Sequence, residues 1–112
     1  MALLAMAFPI APGKTEQWKK FVGELTGARR AEFTESRRKM GVHERTFLQQ
    51  TPMGDLVLVT VEGDNPEAAF ASFATDTSPF AQWFKSEVGK IHGIDLNQPP
   101  PAMPKLIVDS NG

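Results

Sequence analysis

Residues 42–63 read VHERTFLQQTPMGDLVLVTVEG, two runs of strand-forming residues on either side of a turn that carries Pro52 and Gly54. Proline fixes φ at the turn and glycine tolerates the positive φ that tight reversals demand, so the stretch reads as a β-hairpin. Its two arms differ. Val42 to Thr51 alternates and places polar groups on both faces, which suits an edge strand or one facing a partly wet cavity. Leu56, Val57, Leu58, Val59 and Val61 form a nearly unbroken apolar run, the pattern of a central strand covered on both sides.

Working outward, Ala2 to Ile10 places Leu4, Met6, Phe8 and Ile10 at alternate positions with Leu3, Ala5 and Ala7 between them, again apolar on both faces. Pro12-Gly13 turns the chain into a long helical stretch, from Lys14 or Thr15 to Met40. Trp18, Phe21, Val22, Leu25 and Ala28 share one stripe of it. A kink is expected near Gly23 or Gly27, Gly41 supplies the stop, and Glu16 with Lys20 and Glu35 with Lys39 are i,i+4 pairs in the favourable order. Beyond the hairpin, Asp64-Asn65-Pro66-Glu67 starts a short helix through AAFASFA. Ser78-Pro79 starts another, in which Phe80, Trp83, Phe84, Val88 and Ile91 form the stripe and His92-Gly93 the end. Residues 98–104 are a proline-rich connector, KLIVD at 105–109 reads as a short last strand, and 110–112 are a polar tail.

The order β-α-β-β-α-β, with the second helical region split in two, is the ferredoxin-like α+β pattern in a single domain of 112 residues. That topology puts the first and third strands in the middle of the sheet and the other two at its edges. Helices on one face leave the opposite face bare, and a bare apolar face marks an association surface. A homodimer joined through sheet faces is the expectation. The composition, 41% apolar with a net charge of −1, gives no bias toward nucleic acid, and the absence of cysteine excludes disulfides and thiolate chemistry. The basic run Arg29, Arg30, Arg37, Arg38 and Lys39, interleaved with Glu32 and Glu35, reads as a solvated helix face. MALLAMAFPI lacks a basic leader region and is too short to span a membrane; a cytoplasmic protein without a membrane partner is expected.

On the second strand His43, Arg45 and Phe47 share one face while Glu44 and Thr46 share the other. If the first face lines a cavity, between helices and sheet or between two sheets, His43 and Arg45 are candidate catalytic groups that polarise a carbonyl or hold a carboxylate, with Phe47 beside the ligand. If it does not, it is an edge strand showing polar groups to water. Trp18, Trp83, Phe80 and Phe84 are candidates to frame an aromatic pocket, with Trp83 as its stacking residue, or else they are core anchors. His92 is a candidate ligand contact, or simply a cation at a helix C-terminus. His92 and Asp95 are three apart but straddle the helix-ending Gly93, and His43 has no companion at ligand spacing, so no metal is expected.

The elements resemble the dimeric α+β barrel superfamily, which includes antibiotic-biosynthesis monooxygenase-like proteins. The stretches PIAPGKTEQW, RRKMGVHERTFLQQTPMGDLVLV and SPFAQWFKSEVGKIHGIDLNQPP are similar to a small bacterial family within it. The resemblance implies a dimeric barrel that acts as a cofactor-independent monooxygenase-like enzyme on a small organic molecule, or else a non-catalytic metabolite-binding or protein-interaction dimer. In haem-degrading relatives a histidine near the end of the second helix ligates iron, and His92 resembles it by position. Those relatives pair it with an asparagine on the first strand and a tryptophan on the third. This chain has Ala5, Met6 and Ala7, and then only Leu, Val and Thr, at the corresponding places, so no cofactor is expected.

Overall fold

The computed structural model describes residues 2–98 and 103–112, so most of the proline-rich connector lies outside the described residues. In order along the chain are β1 (Ala2–Pro9), α1 (Thr15–Thr26), α2 (Arg30–Met40), β2 (Val42–Thr51), β3 (Gly54–Gly63), α3 (Pro66–Ala74) and α4 (Pro79–His92). The three strands form one antiparallel sheet in the order β1-β3-β2. The apolar run of β3 lies in the middle, as its sequence requires, and Pro52 and Met53 make the two-residue turn between Thr51 and Gly54.

Register decides which residues share a face. Leu4, Met6 and Phe8 stand opposite Val61, Val59 and Val57, and these in turn face Glu44, Thr46 and Leu48 of β2. The helices cover that side. Trp18, Phe21 and Leu25 of α1 and Phe80, Phe84, Val88 and Ile91 of α4 pack with Val57 and Phe73 in the main core, while Leu4, Met6 and Val61 form a smaller cluster beneath α3. Phe84 is the hub of the aromatic packing, with ring centroids 5.2 Å from Phe21 and 5.5 Å from Phe73. Thr15 Oγ1 donates to Asp55 Oδ2 at 2.6 Å and ties the start of α1 to the start of β3.

Among the described residues, no helix lies on the other side of the sheet. Leu3, 56% exposed, and Phe47, 51% exposed, lie there with Ala5, Ala7, Leu56 and Leu58. Among the described residues, no helix is long and apolar enough to cross a membrane.

Three expectations need correcting. The kink expected near Gly23 or Gly27 is a full break at Gly27, whose φ of −119° and ψ of −107° leave the helical region, so that the long helix is two, the second starting at Arg30. Glu16 and Glu35 pair with Lys19 and Arg38, one turn away at i,i+3, instead of with Lys20 and Lys39. The segment 105–109 joins no ladder, and β1 therefore stands at an edge of the described sheet instead of in its middle. Strand propensity is local, whereas a strand exists only where an edge receives it.

The caps follow their sequence signals. The Asn65 side chain accepts from Ala68 N at 3.1 Å and Ser78 Oγ from Ala81 N at 3.3 Å. Gly41 and Gly93 end α2 and α4 with φ of 71° and 70°. Gly93→Val forces a β-branched residue into that left-handed conformation and is expected to cost about 1–2 kcal/mol, read as a lowered unfolding midpoint. An unchanged midpoint would refute the cap.

Candidate functional site

Between the sheet and the helices lies a cavity of about 290 Å³. Its walls are apolar: Met6 and Phe8 of β1, Val57, Val59 and Val61 of β3, Trp18 and Phe21 of α1, and Phe84 and Val88 of α4 contribute most of them. Thr26 and Thr46, both exposed, also border it and mark where it reaches solvent. Against this lining stand two polar features, the Arg37–Glu44 pair and His92.

Arg37 belongs to the basic run that reads as a solvated face, yet it is only 7% exposed. The reason is its place on the helix: Phe33, Arg37 and Met40 follow one another at four and three residues, and all three border the cavity. The αL turn at Gly41 folds β2 back so that Glu44 meets Arg37, whose Nε donates to Glu44 Oε1 at 2.8 Å. Nη1 donates to Ser36 Oγ at 2.9 Å. The rings of Phe33, Phe73 and Phe84 surround the guanidinium at 4.7–4.8 Å from its central carbon. An arginine tolerates such a site because its delocalised charge is weakly hydrated and stacks on aromatic faces. Arg37 Nη2 and Glu44 Oε2 make no hydrogen bond among the described residues. The pair therefore offers one donor edge and one acceptor atom while carrying no net charge.

His92 closes α4 and is half-buried, its ring 5.7 Å from that of Phe8. Its Nδ1 lies 2.9 Å from the Pro9 carbonyl oxygen, which can only accept, so the proton sits on Nδ1 and Nε2 keeps its lone pair. Burial pushes the imidazole pKa below the ordinary histidine value, and the bond to Pro9 offsets part of that shift. The folded protein thus holds a neutral imidazole whose unprotonated nitrogen is a base. Because the unfolded chain binds the proton more readily, stability falls as pH drops from the ordinary histidine value toward the lowered one, and is flat above that window. His92→Asn is expected to flatten the unfolding midpoint across the same window; an unaltered slope would assign it to other groups.

The other sequence candidates lie elsewhere. His43, Arg45 and Phe47 are on the open face of the sheet, on the far side of β2 from the cavity, where Arg45 donates to Glu62 of β3. His43 stands directly opposite Glu62, and the hydrogen bond and charge of Arg45 are the leading causes that hold the Glu62 carboxyl below its usual range. Trp83 sits outside the cavity, its ring between Phe21 and Phe80 and covered by the guanidinium of Arg29 at 4.1 Å. Of the four aromatic candidates, Trp18 and Phe84 line the cavity.

Sequence reasoning missed Arg37 and Glu44. The helical spacing of Phe33, Arg37 and Met40 was the available signal for the first. For the second, the register with Val57, Val59 and Val61 decides which side of β2 faces inward, and that register is absent from a local pattern. No family model and no curated protein matches the chain.

Proposed function

We propose that two copies of this chain pack through the open faces of their sheets as a ferredoxin-like dimeric α+β barrel. Each copy holds a small, neutral organic molecule in its helix–sheet cavity and acts on it as a cofactor-independent, monooxygenase-like enzyme with dioxygen as co-substrate. The observation that carries this reading is the cavity of about 290 Å³, apolar in its walls and supplied with a neutral ion pair and a neutral imidazole. An isolated buried cation would favour an anionic ligand; Arg37 is already balanced by Glu44, so a phenol, enol or amide group is the better match. Nε2 of His92 is the group to take a proton from an acidic O–H or C–H of such a molecule. The bare apolar side of the sheet, with Leu3, Phe47 and Leu58 on it, supports the dimer. The open-face groups His43, Arg45 and Glu62 then fall between the two sheets or at their rim, and supply polar contacts to that interface.

A second reading is a non-catalytic metabolite-binding or interaction dimer. The three phenyl rings around Arg37 favour it, because a guanidinium caged in this way and bonded to Glu44 and Ser36 also serves as a structural element.

The experiment begins with native mass spectrometry of the purified protein, which reports both the dimer and any bound mass. Trp83→Phe then leaves Trp18 as the sole indole. Titration of that variant with 2-naphthol is expected to quench Trp18 saturably, and naphthalene-2-carboxylate to bind at least about tenfold more weakly, the expected penalty for a charge without a counter-charge. Quenching by neither probe, or tighter binding of the carboxylate, would overturn the neutral-ligand site. Conversion of a bound ligand under oxygen distinguishes the enzyme from the carrier.

A further inference from the structure

Leu106, Ile107 and Val108 are 70%, 83% and 82% exposed, three consecutive strand formers without a packing surface among the described residues. Elsewhere in the molecule, β1 has β3 as its one ladder partner among the described residues, so its second edge carries unpaired backbone donors and acceptors. An uncovered edge beside an apolar face is a template for another strand. Met103 packs against the cluster of Leu4, Met6 and Val61, which brings the segment to the neighbourhood of β1. From Pro104 onward the residues are exposed, so the segment leaves its own sheet instead of closing on it.

A chain that carries both an unpaired edge and an unpaired strand is complementary to a copy of itself. A two-fold axis satisfies both needs at once, with the same contact made twice. We propose that residues 105–109 of each chain add as a strand to the β1 edge of the partner copy, so that each sheet gains its fourth strand from the other chain. This rests on the dimer proposed above and is independent of what the cavity binds. It also accounts for the sequence pattern of KLIVD, which is strand-like although it joins no ladder among the described residues of its own chain.

The chain contains no cysteine, so introduced thiols react alone. An affinity-tagged chain carrying Ile107→Cys is mixed by refolding with an untagged chain carrying Ala5→Cys, on β1, and treated with a short flexible bismaleimide. The expected result is a covalent tagged–untagged product that disappears when an excess of unaltered chain competes. A double variant, Ala5→Cys with Ile107→Cys, is treated in parallel. Linkage only within one chain in that variant, or no linkage in either experiment, would overturn strand exchange. Native mass spectrometry of the same samples before cross-linking separates the two readings: a dimer without the product refutes the exchanged strand alone, whereas a monomer refutes the dimer and the exchange together.

Discussion

Replacing Arg37 by alanine is expected to destabilise the protein by about 3–5 kcal/mol, because the substitution leaves the Glu44 carboxylate enclosed without its counter-charge. For a chain of this size that corresponds to a fall in melting temperature of roughly 12–20 °C. Part of the loss comes from the three phenyl rings, which pack around the guanidinium and would border a void. The comparison that isolates the charge is Arg37→Met combined with Glu44→Gln. Removing both charges while keeping the volume is expected to recover more than half of the stability lost in Arg37→Ala, since a buried pair replaced whole costs far less than a pair broken. Equal melting temperatures for Arg37→Ala and the unaltered protein would show that Glu44 finds water or another partner, and the pair would lose its standing as the fixed polar feature of the cavity.

Lys85→Met is the second large effect, expected at about 2–4 kcal/mol. Lys85 is only 5% exposed, and its ammonium donates to the carbonyl oxygens of Phe73 at 3.2 Å, Ala74 at 3.0 Å and Asp76 at 2.8 Å. These carbonyls end α3 and begin the loop to α4, where helical carbonyls run out of amide donors. One cation therefore does for this helix end what no residue of α3 itself does, since its last turn holds no basic side chain. Methionine keeps the length and the apolar stem but supplies no donor, so the cost is that of the lost charge-assisted bonds and of the Ala74 and Asp76 acceptors left behind, while the Phe73 carbonyl keeps its bond from Asp76 N. Amide exchange should quicken through residues 73–78 ahead of the rest of the domain; uniform exchange with an unchanged melting temperature would contradict the role.

Much of the fold is legible in the sequence because its signals are local. Asn65-Pro66 and Ser78-Pro79 start helices, Gly41 and Gly93 stop them, and the two-residue turn at Pro52-Met53 fixes the hairpin, all through backbone chemistry within a few residues. The apolar run of β3 likewise identifies the strand with neighbours on both sides. The cavity was harder to read because its polar members look like surface residues. Arg37 stands among four other cations in the sequence, and only its alignment with Phe33 and Met40 separates it from them. β2 has polar groups on both faces, so its alternation leaves open whether Glu44 or His43 turns inward. The pairing of Glu44 with Val61 settles it, and that pairing is tertiary. The segment 105–109 shows the opposite failure, a strand-like local pattern that joins no ladder among the described residues.

The pairing of β1 with β3 also sets an order of events during synthesis. Ala2 finds its partner in Gly63 and Pro9 in Leu56, so β1, made ahead of the hairpin, waits until the hairpin has been made and released. At about 5–20 residues per second that interval is several seconds. Through it, Leu3, Leu4, Met6 and Phe8 stand in the nascent chain without the ladder that later holds them. The helix α2 and the β2–β3 hairpin, whose contacts are near neighbours in sequence, can assemble as soon as they emerge. β1 is thus made before its partner and placed late, an apolar segment left without its ladder while the chain grows.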